Sequence, residues 1–161
     1  MTADAGAGKG AELSLLLPLS SATSREAAPE EAHPDPAAHA AVRKILVIED
    51  NPDAAATMRD FLELSGHEVE LAISGTDGVQ AARALHPEVV LCDLGLPGMT
   101  GFEVAAALRQ DPATASAKLI AVTGYGREED RRKSKEAGFD LHLTKPVDPV
   151  QLRRLLREQD R

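Results

Sequence analysis

From Arg43 onward the chain alternates between two periods, and this alternation restricts the fold more than any other feature. Ile45-Leu46-Val47-Ile48, Val89-Val90-Leu91-Cys92 and Leu119-Ile120-Ala121-Val122 are continuous apolar runs of strand length. Runs of this kind fit strands covered on both faces. Val69, Leu71 and Ile73 fall at alternate positions, which predicts a second strand with one wetter face, and Leu141 with Leu143 marks a fifth. Helical spacing fills the gaps. Asn51 and Pro52 form a cap and a first helical residue before Met58, Phe61 and Leu62, and Gly66 ends that helix. Further helices are predicted from Thr76 to Leu85, on Phe102, Ala105 and Leu108, from Glu128 to Ala137, and after Asp148-Pro149 on Val150, Leu152, Leu155 and Leu156. Five repeats of strand then helix predict an α/β fold: an open, doubly wound, five-stranded parallel sheet with helices on both faces.

In such sheets, sites form beyond the carboxyl ends of the strands. Four of the five predicted strands end in polar groups there: Glu49 and Asp50 after the first, Asp93 after the third, Thr123 after the fourth and Lys145 after the fifth. Three carboxylates converging on one volume repel each other, and a hard cation such as Mg²⁺ (or Mn²⁺) removes the conflict. Mg²⁺ binds through a few carboxylates plus phosphate oxygens, so room for a phosphoryl group is expected. Lys145 and Thr123 then take phosphoryl oxygens by charge and hydrogen bond, while one carboxylate acts as nucleophile and forms an acyl phosphate.

Composition excludes several alternatives. The formal net charge of -8 opposes binding to nucleic acid or to anionic membrane surfaces, and with no Trp, three Phe and one Tyr the chain lacks a base-stacking platform. Cys92 is the only cysteine, so neither an internal disulfide nor a cysteine metal cage is expected. The longest apolar stretch, Leu13 to Leu19, contains Ser14 and Pro18 and is far short of a membrane span. The start MTADAGAGKG does not read as a signal peptide, and a cytoplasmic location is expected. GAGKG does not read as a phosphate loop: Ala3 stands where its first glycine belongs, Gly10 replaces Ser or Thr, and no strand is predicted before it. A dinucleotide fingerprint fails at Ala11.

The motifs KILVIEDN, VVLCDLGLPGMTGFE, LIAVTGYG and LHLTKPVD carry a family resemblance. From Arg43 to about Arg157 the chain resembles the receiver domain of response regulators, and a domain over 43–158 is expected. The resemblance implies a flavodoxin-like sheet of order 2-1-3-4-5, with Asp93 as the phosphorylation site. It implies Asp50 on the metal directly, Glu49 through water, and the backbone carbonyl of Gly95 as a further ligand. It implies Thr123 as the switch hydroxyl, Lys145 bonding the phosphoryl group, and a cis peptide at Lys145-Pro146. Donors would be a histidine kinase or a histidine phosphotransfer protein, and a downstream protein target would read the result.

Two positions depart from the family pattern. The second switch position, often Tyr or Phe, is His142, which is read either as a source of pH sensitivity or as an amphipathic surface residue. Gly95 offers no side chain near the attacking water of dephosphorylation. Residues 1–20, with AGAGKGAELSLLLPLS, resemble the tail of a histidine-kinase ATP-binding domain, and the Ala-, Pro- and acid-rich 21–42 reads as a flexible linker. The chain is thus expected to be the receiver part of a hybrid kinase, with no phospho-histidine motif and no output domain after Arg157, and not an enzyme beyond slow turnover of its own phosphoryl group. The alternative is a metal-dependent phosphohydrolase with an aspartyl-phosphate intermediate. That would need a second acid two positions after the nucleophile, where Gly95 sits.

Overall fold

The computed structural model describes residues 2–4, 12–14, 42–124 and 128–157, and it divides into two units, Met1–Ala38 and His39–Arg161. In the first unit β1 (Thr2–Asp4) pairs antiparallel with β2 (Glu12–Ser14), Thr2 opposite Ser14. The predicted linker up to residue 41, and the apolar run after Ser14, lie outside the described residues.

The second unit runs β3 (Lys44–Ile48), α1 (Pro52–Leu64), β4 (Glu68–Ala72), α2 (Gly75–Leu85), β5 (Val89–Asp93), α3 (Gly101–Gln110), β6 (Lys118–Thr123), α4 (Glu128–Ala137), β7 (Leu141–Thr144) and α5 (Pro149–Arg157). Its five strands are all parallel and lie in the order β4-β3-β5-β6-β7, which is 2-1-3-4-5 counted within the sheet. The expected doubly wound sheet is therefore present.

Strand residues point alternately to opposite faces, and the core divides accordingly. Ile45, Val47, Val89, Leu91, Ile120, Val122 and Leu143 pack with Leu62 of α1 and with Leu152 and Leu156 of α5. Leu46, Ile48, Val90, Cys92, Leu119 and Ala121 pack on the other side, with α2 through Val79 and Ala82 and with α3 through Val104 and Leu108.

Side-chain oxygens cap the starts of α1, α2 and α3. Asn51 Oδ1 accepts from the amides of Asp53 and Ala54 at 3.0 and 3.1 Å. Ser74 Oγ accepts from Asp77 N at 3.1 Å, and α2 accordingly begins at Gly75, one residue earlier than predicted. Thr100 and Glu103 form a reciprocal capping box at the start of α3, each holding the other's backbone amide. Ile73 departs from expectation: β4 stops at Ala72, and Ile73 is 64% exposed. β4 is an edge strand whose last ladder partner is Ile48, so Ala72 turns into the core and the next residue is left outside the pairing.

Candidate functional site

The alternation that sorts the core also sorts the strand-end groups. Glu49, Asp93 and Lys145 continue the odd-numbered series of Ile45, Val47, Leu91 and Leu143, on the α1/α5 side of the sheet. They meet there. Lys145 Nζ donates to Glu49 Oε2 at 2.6 Å and to Asp93 Oδ2 at 2.7 Å. The other Asp93 oxygen, Oδ1, accepts from the Gly95 amide at 2.9 Å, and Glu49 Oε1 accepts from Asn51 N at 3.3 Å. Each Asp93 oxygen therefore has a fixed donor, one from the loop after its own strand and one from the far end of β7.

Burial differs sharply along this group. The side chains of Glu49 and Asp93 are only 9% and 13% exposed, Lys145 is 32% exposed, and Asp50 lies open to solvent. Burial alone would push the Lys145 ammonium toward the neutral form, but its hydrogen bonds to Asp93 and Glu49, together with their charges, outweigh this and hold its pKa above the ordinary value. Lys145 is thus a fixed cation. Glu49, Asp50 and Asp93 each place an oxygen within 4.8 Å of the others. One ammonium does not balance three carboxylates, and the all-oxygen donor set, with Asp50 approachable from water, fits a hard divalent cation. Beside it a groove of about 600 Å³ opens between α1 and α5, bounded in part by Asn51, Met58, Val147 and Leu152.

Thr123 stands at the same edge but on the other face. It follows Val122, the ladder partner of Asp93, and shares the odd series of Leu119 and Ala121, which packs toward α2 and α3. Its side chain is buried, and its carbonyl accepts from Lys145 N at 2.7 Å. The main chain therefore joins Thr123 to Lys145, although their side chains leave the sheet in opposite directions.

His142 is the ladder partner of Ala121, so it lies on the Thr123 side. It is half-buried. Its Nδ1 lies 3.3 Å from Ser134 Oγ of α4, and its buried Nε2 has no hydrogen-bond partner. Burial, with help from the Arg131 charge and against that of Asp130, holds its pKa below the usual histidine value. The Lys145-Pro146 peptide is cis, as the resemblance implied. At Gly95 a Cβ would meet only Asp93 Oδ1, at an ordinary 3.6 Å, so nothing there requires glycine for space. Sequence reasoning missed the Gly95 amide on Asp93 and the double grip of Lys145. The odd numbering of Glu49, Asp93 and Lys145 was the available signal for the latter.

The family model of the response regulator receiver domain matches residues 45–157. The chain belongs to the response regulator receiver domain family. It is 39% identical over 105 residues to Protein PilH of Pseudomonas aeruginosa, covering 65% of this chain and 87% of PilH. It is 35% identical over 122 residues to the DNA-binding dual master transcriptional regulator RpaA of a Synechocystis species, of which it spans only 51%, with 73% of this chain covered. Among solved structures, the receiver domain of the sensor histidine kinase PA1611 of Pseudomonas aeruginosa, described with a magnesium ion in its active-site cleft, superposes with a TM-score of 0.68 at 28% identity, covering 73% of this chain and 97% of that one. Receiver domains are signalling domains that take phosphoryl groups from histidine kinases or phosphotransfer proteins and act on downstream targets, with Mg²⁺ at an acidic pocket, and this chain is a phosphorelay receiver. Among the described residues, no helix is long and apolar enough to cross a membrane.

Proposed function

We propose that Asp93 is the phosphoryl acceptor of this receiver, and that Glu49, Asp50, Asp93 and the Gly95 backbone carbonyl hold Mg²⁺ or Mn²⁺ beside it. The observation that carries the reading is Lys145 bridging Glu49 and Asp93 within a triad of mutually close carboxylates. The bound cation would neutralise charge on the phosphoryl oxygens. The rest of the chemistry is positioning. An Asp93 carboxylate oxygen attacks phosphorus as the bond from phosphorus to the donor's nitrogen or oxygen breaks, giving an acyl phosphate. Lys145 is already within hydrogen-bond distance of Asp93 Oδ2 and passes to a phosphoryl oxygen as that carboxylate is consumed, keeping Glu49 as its second partner. No general base is required, because a carboxylate needs no deprotonation.

The switch follows from the division of faces. Thr123 moves toward the new phosphoryl group and biases α4, with His142 at the second switch position, so that the surface of α4, β7 and α5 presents two states to a protein target. The donor is a histidine kinase or a histidine phosphotransfer protein, and the site lies in the cytoplasm with its ATP-dependent donor. Gly95, where a phosphohydrolase would need an acid, disfavours net hydrolysis, so the domain turns over its own phosphoryl group slowly at most.

The segment 1–20 is proposed as the tail of a histidine-kinase ATP-binding domain, which would make the chain the receiver part of a hybrid kinase. Its support is the antiparallel pair of Thr2–Asp4 with Glu12–Ser14 flanking the glycine-rich stretch. The deciding experiment for the receiver chemistry is intact mass after incubation with acetyl phosphate. A single phosphoryl group that requires both Mg²⁺ and Asp93 is expected, and Asp93→Asn should remain unmodified. An unmodified wild type, folded and with Mg²⁺ present, would refute the assignment.

A further inference from the structure

The loop from Leu94 to Thr100 carries the Gly95 amide that fixes Asp93 Oδ1, so whatever fixes this loop fixes the nucleophile. Two backbone contacts do so, and both depend on a missing side chain. Gly101, the first residue of α3, is buried, and a Cβ there would fall deep inside van der Waals contact with the Asp93 carbonyl oxygen and at 2.9 Å from Leu94 Cα. Gly75, the first residue of α2, is buried as well, and its Cβ would stand 2.5 Å from the Met99 carbonyl oxygen and 2.9 Å from Met99 Cβ and Val104 Cγ2. At Gly101 the obstacles are all backbone atoms of β5 and its loop, and at Gly75 the nearest is the Met99 carbonyl oxygen; none of these backbone atoms can swing aside as the end of a flexible side chain can. Neither glycine has a positive φ, so close approach rather than backbone conformation demands them.

From these contacts we infer that Gly75 and Gly101 are positioning residues for phosphoryl transfer: they let the first turns of α2 and α3 close on the loop after β5 and so aim the Asp93 carboxylate at Lys145. Gly75 touches none of the reacting groups and acts only through Met99 and the loop. The inference rests on the reading of Asp93 as phosphoryl acceptor. Gly78 supplies an internal control. It is equally crowded, but every close atom belongs to the Ile48 side chain and none to the loop itself.

The test compares Gly101→Ala, Gly75→Ala and Gly78→Ala by three measurements: the rate of Mg²⁺-dependent phosphorylation by acetyl phosphate, the thermal unfolding midpoint, and the amide resonance of Gly95. A displacement of an ångström at a reacting group costs up to about a hundredfold in rate. Gly101→Ala should therefore phosphorylate about ten- to a hundredfold more slowly per folded molecule, Gly75→Ala should slow by a smaller factor, and both should shift the Gly95 amide. Gly78→Ala should lower the midpoint while leaving the rate and the Gly95 resonance unchanged. Wild-type rates in folded Gly101→Ala and Gly75→Ala, or equal slowing in all three, would overturn the inference. If Gly101→Ala does not fold, Gly75→Ala decides. If wild type itself accepts no phosphoryl group, the Asp93 reading fails, and the Gly95 resonance still judges the clamp.

Discussion

The two ends of the parallel sheet use the same material in opposite ways. At the amino end, Arg109 donates to the carbonyls of Gly138, Ala115 and Ala117 at 2.8, 2.6 and 2.7 Å, and to Asp140 Oδ2 at 2.6 Å. Asp140 in turn accepts from Leu119 N at 2.7 Å. One cation there meets one carboxylate and three carbonyls and ties the end of α3 to the entries of β6 and β7. At the carboxyl end, one cation faces three carboxylates. The first arrangement is satisfied and holds the sheet together. The second is short of positive charge and is suited to acquiring it. Charge balance, rather than the number of charged groups, separates the structural edge from the chemical one.

The comparison breaks most visibly if Arg109 is removed. Hydrogen bonds to a charged group contribute about 1.5–3 kcal/mol net, and several acceptors would be stranded together. Arg109→Met should cost about 3 kcal/mol of stability in urea unfolding, while Mg²⁺-dependent phosphorylation of the folded fraction stays at the wild-type rate. The opposite edge should respond to ions instead. Mg²⁺ at a hundredfold over its dissociation constant should stabilise wild type by about 2.7 kcal/mol. Removing the metal should reverse this, and Asp50→Asn should lose most of the gain; equal stabilisation of that variant would show that the acidic triad is not the site. Between the two in kind lies Asn51, which caps α1 and also donates to Glu49. Asn51→Ala should cost about 1 kcal/mol, measurable with no metal present.

The smallest effect is expected from pH, and it sharpens the contrast. His67, buried near the amino end of the sheet, is held below the usual histidine pKa, chiefly by burial and then by Arg43. His142 is shifted the same way. A lowered folded pKa means that the unfolded chain takes up protons first, so their contribution is complete above about pH 6.5 and is lost as the pH falls through the folded values. Lys145, shifted upward, loses its contribution only in strong alkali, as the pH rises past the ordinary lysine value of about 10.4. Urea midpoints should therefore fall as the pH drops below about 6.5, and His67→Gln should flatten part of that slope; an unchanged slope in the variant would remove His67 from the account.

How much of this was legible depended on whether neighbours in sequence or neighbours in space decide. The strands were readable because both faces of the sheet are covered, so four consecutive apolar residues admit few other structures. Their polar ends were readable because parallel strands line up at one edge. Ile73 misled because alternation alone does not say where an edge strand stops pairing. The capping box at Thr100 and Glu103 followed a readable spacing that the apolar pattern of α3 overshadowed. The Arg109 knot and the Gly75 contact were beyond reach, since both join segments far apart in the chain, in large part through carbonyl oxygens that carry no residue identity.

The strict alternation along β6 also has a consequence for how change in this domain is tolerated. Val122 and Thr123 are adjacent, yet one is built into the α1/α5 wall and the other faces the helices opposite, so a single peptide unit spans the thickness of the sheet. On the reading proposed above, that peptide separates the side that receives from the side that reports. Substitutions can accumulate on either side independently, but the insertion or deletion of one residue in β6 would exchange the two sides at a stroke. Length in this strand is therefore a stricter constraint than composition.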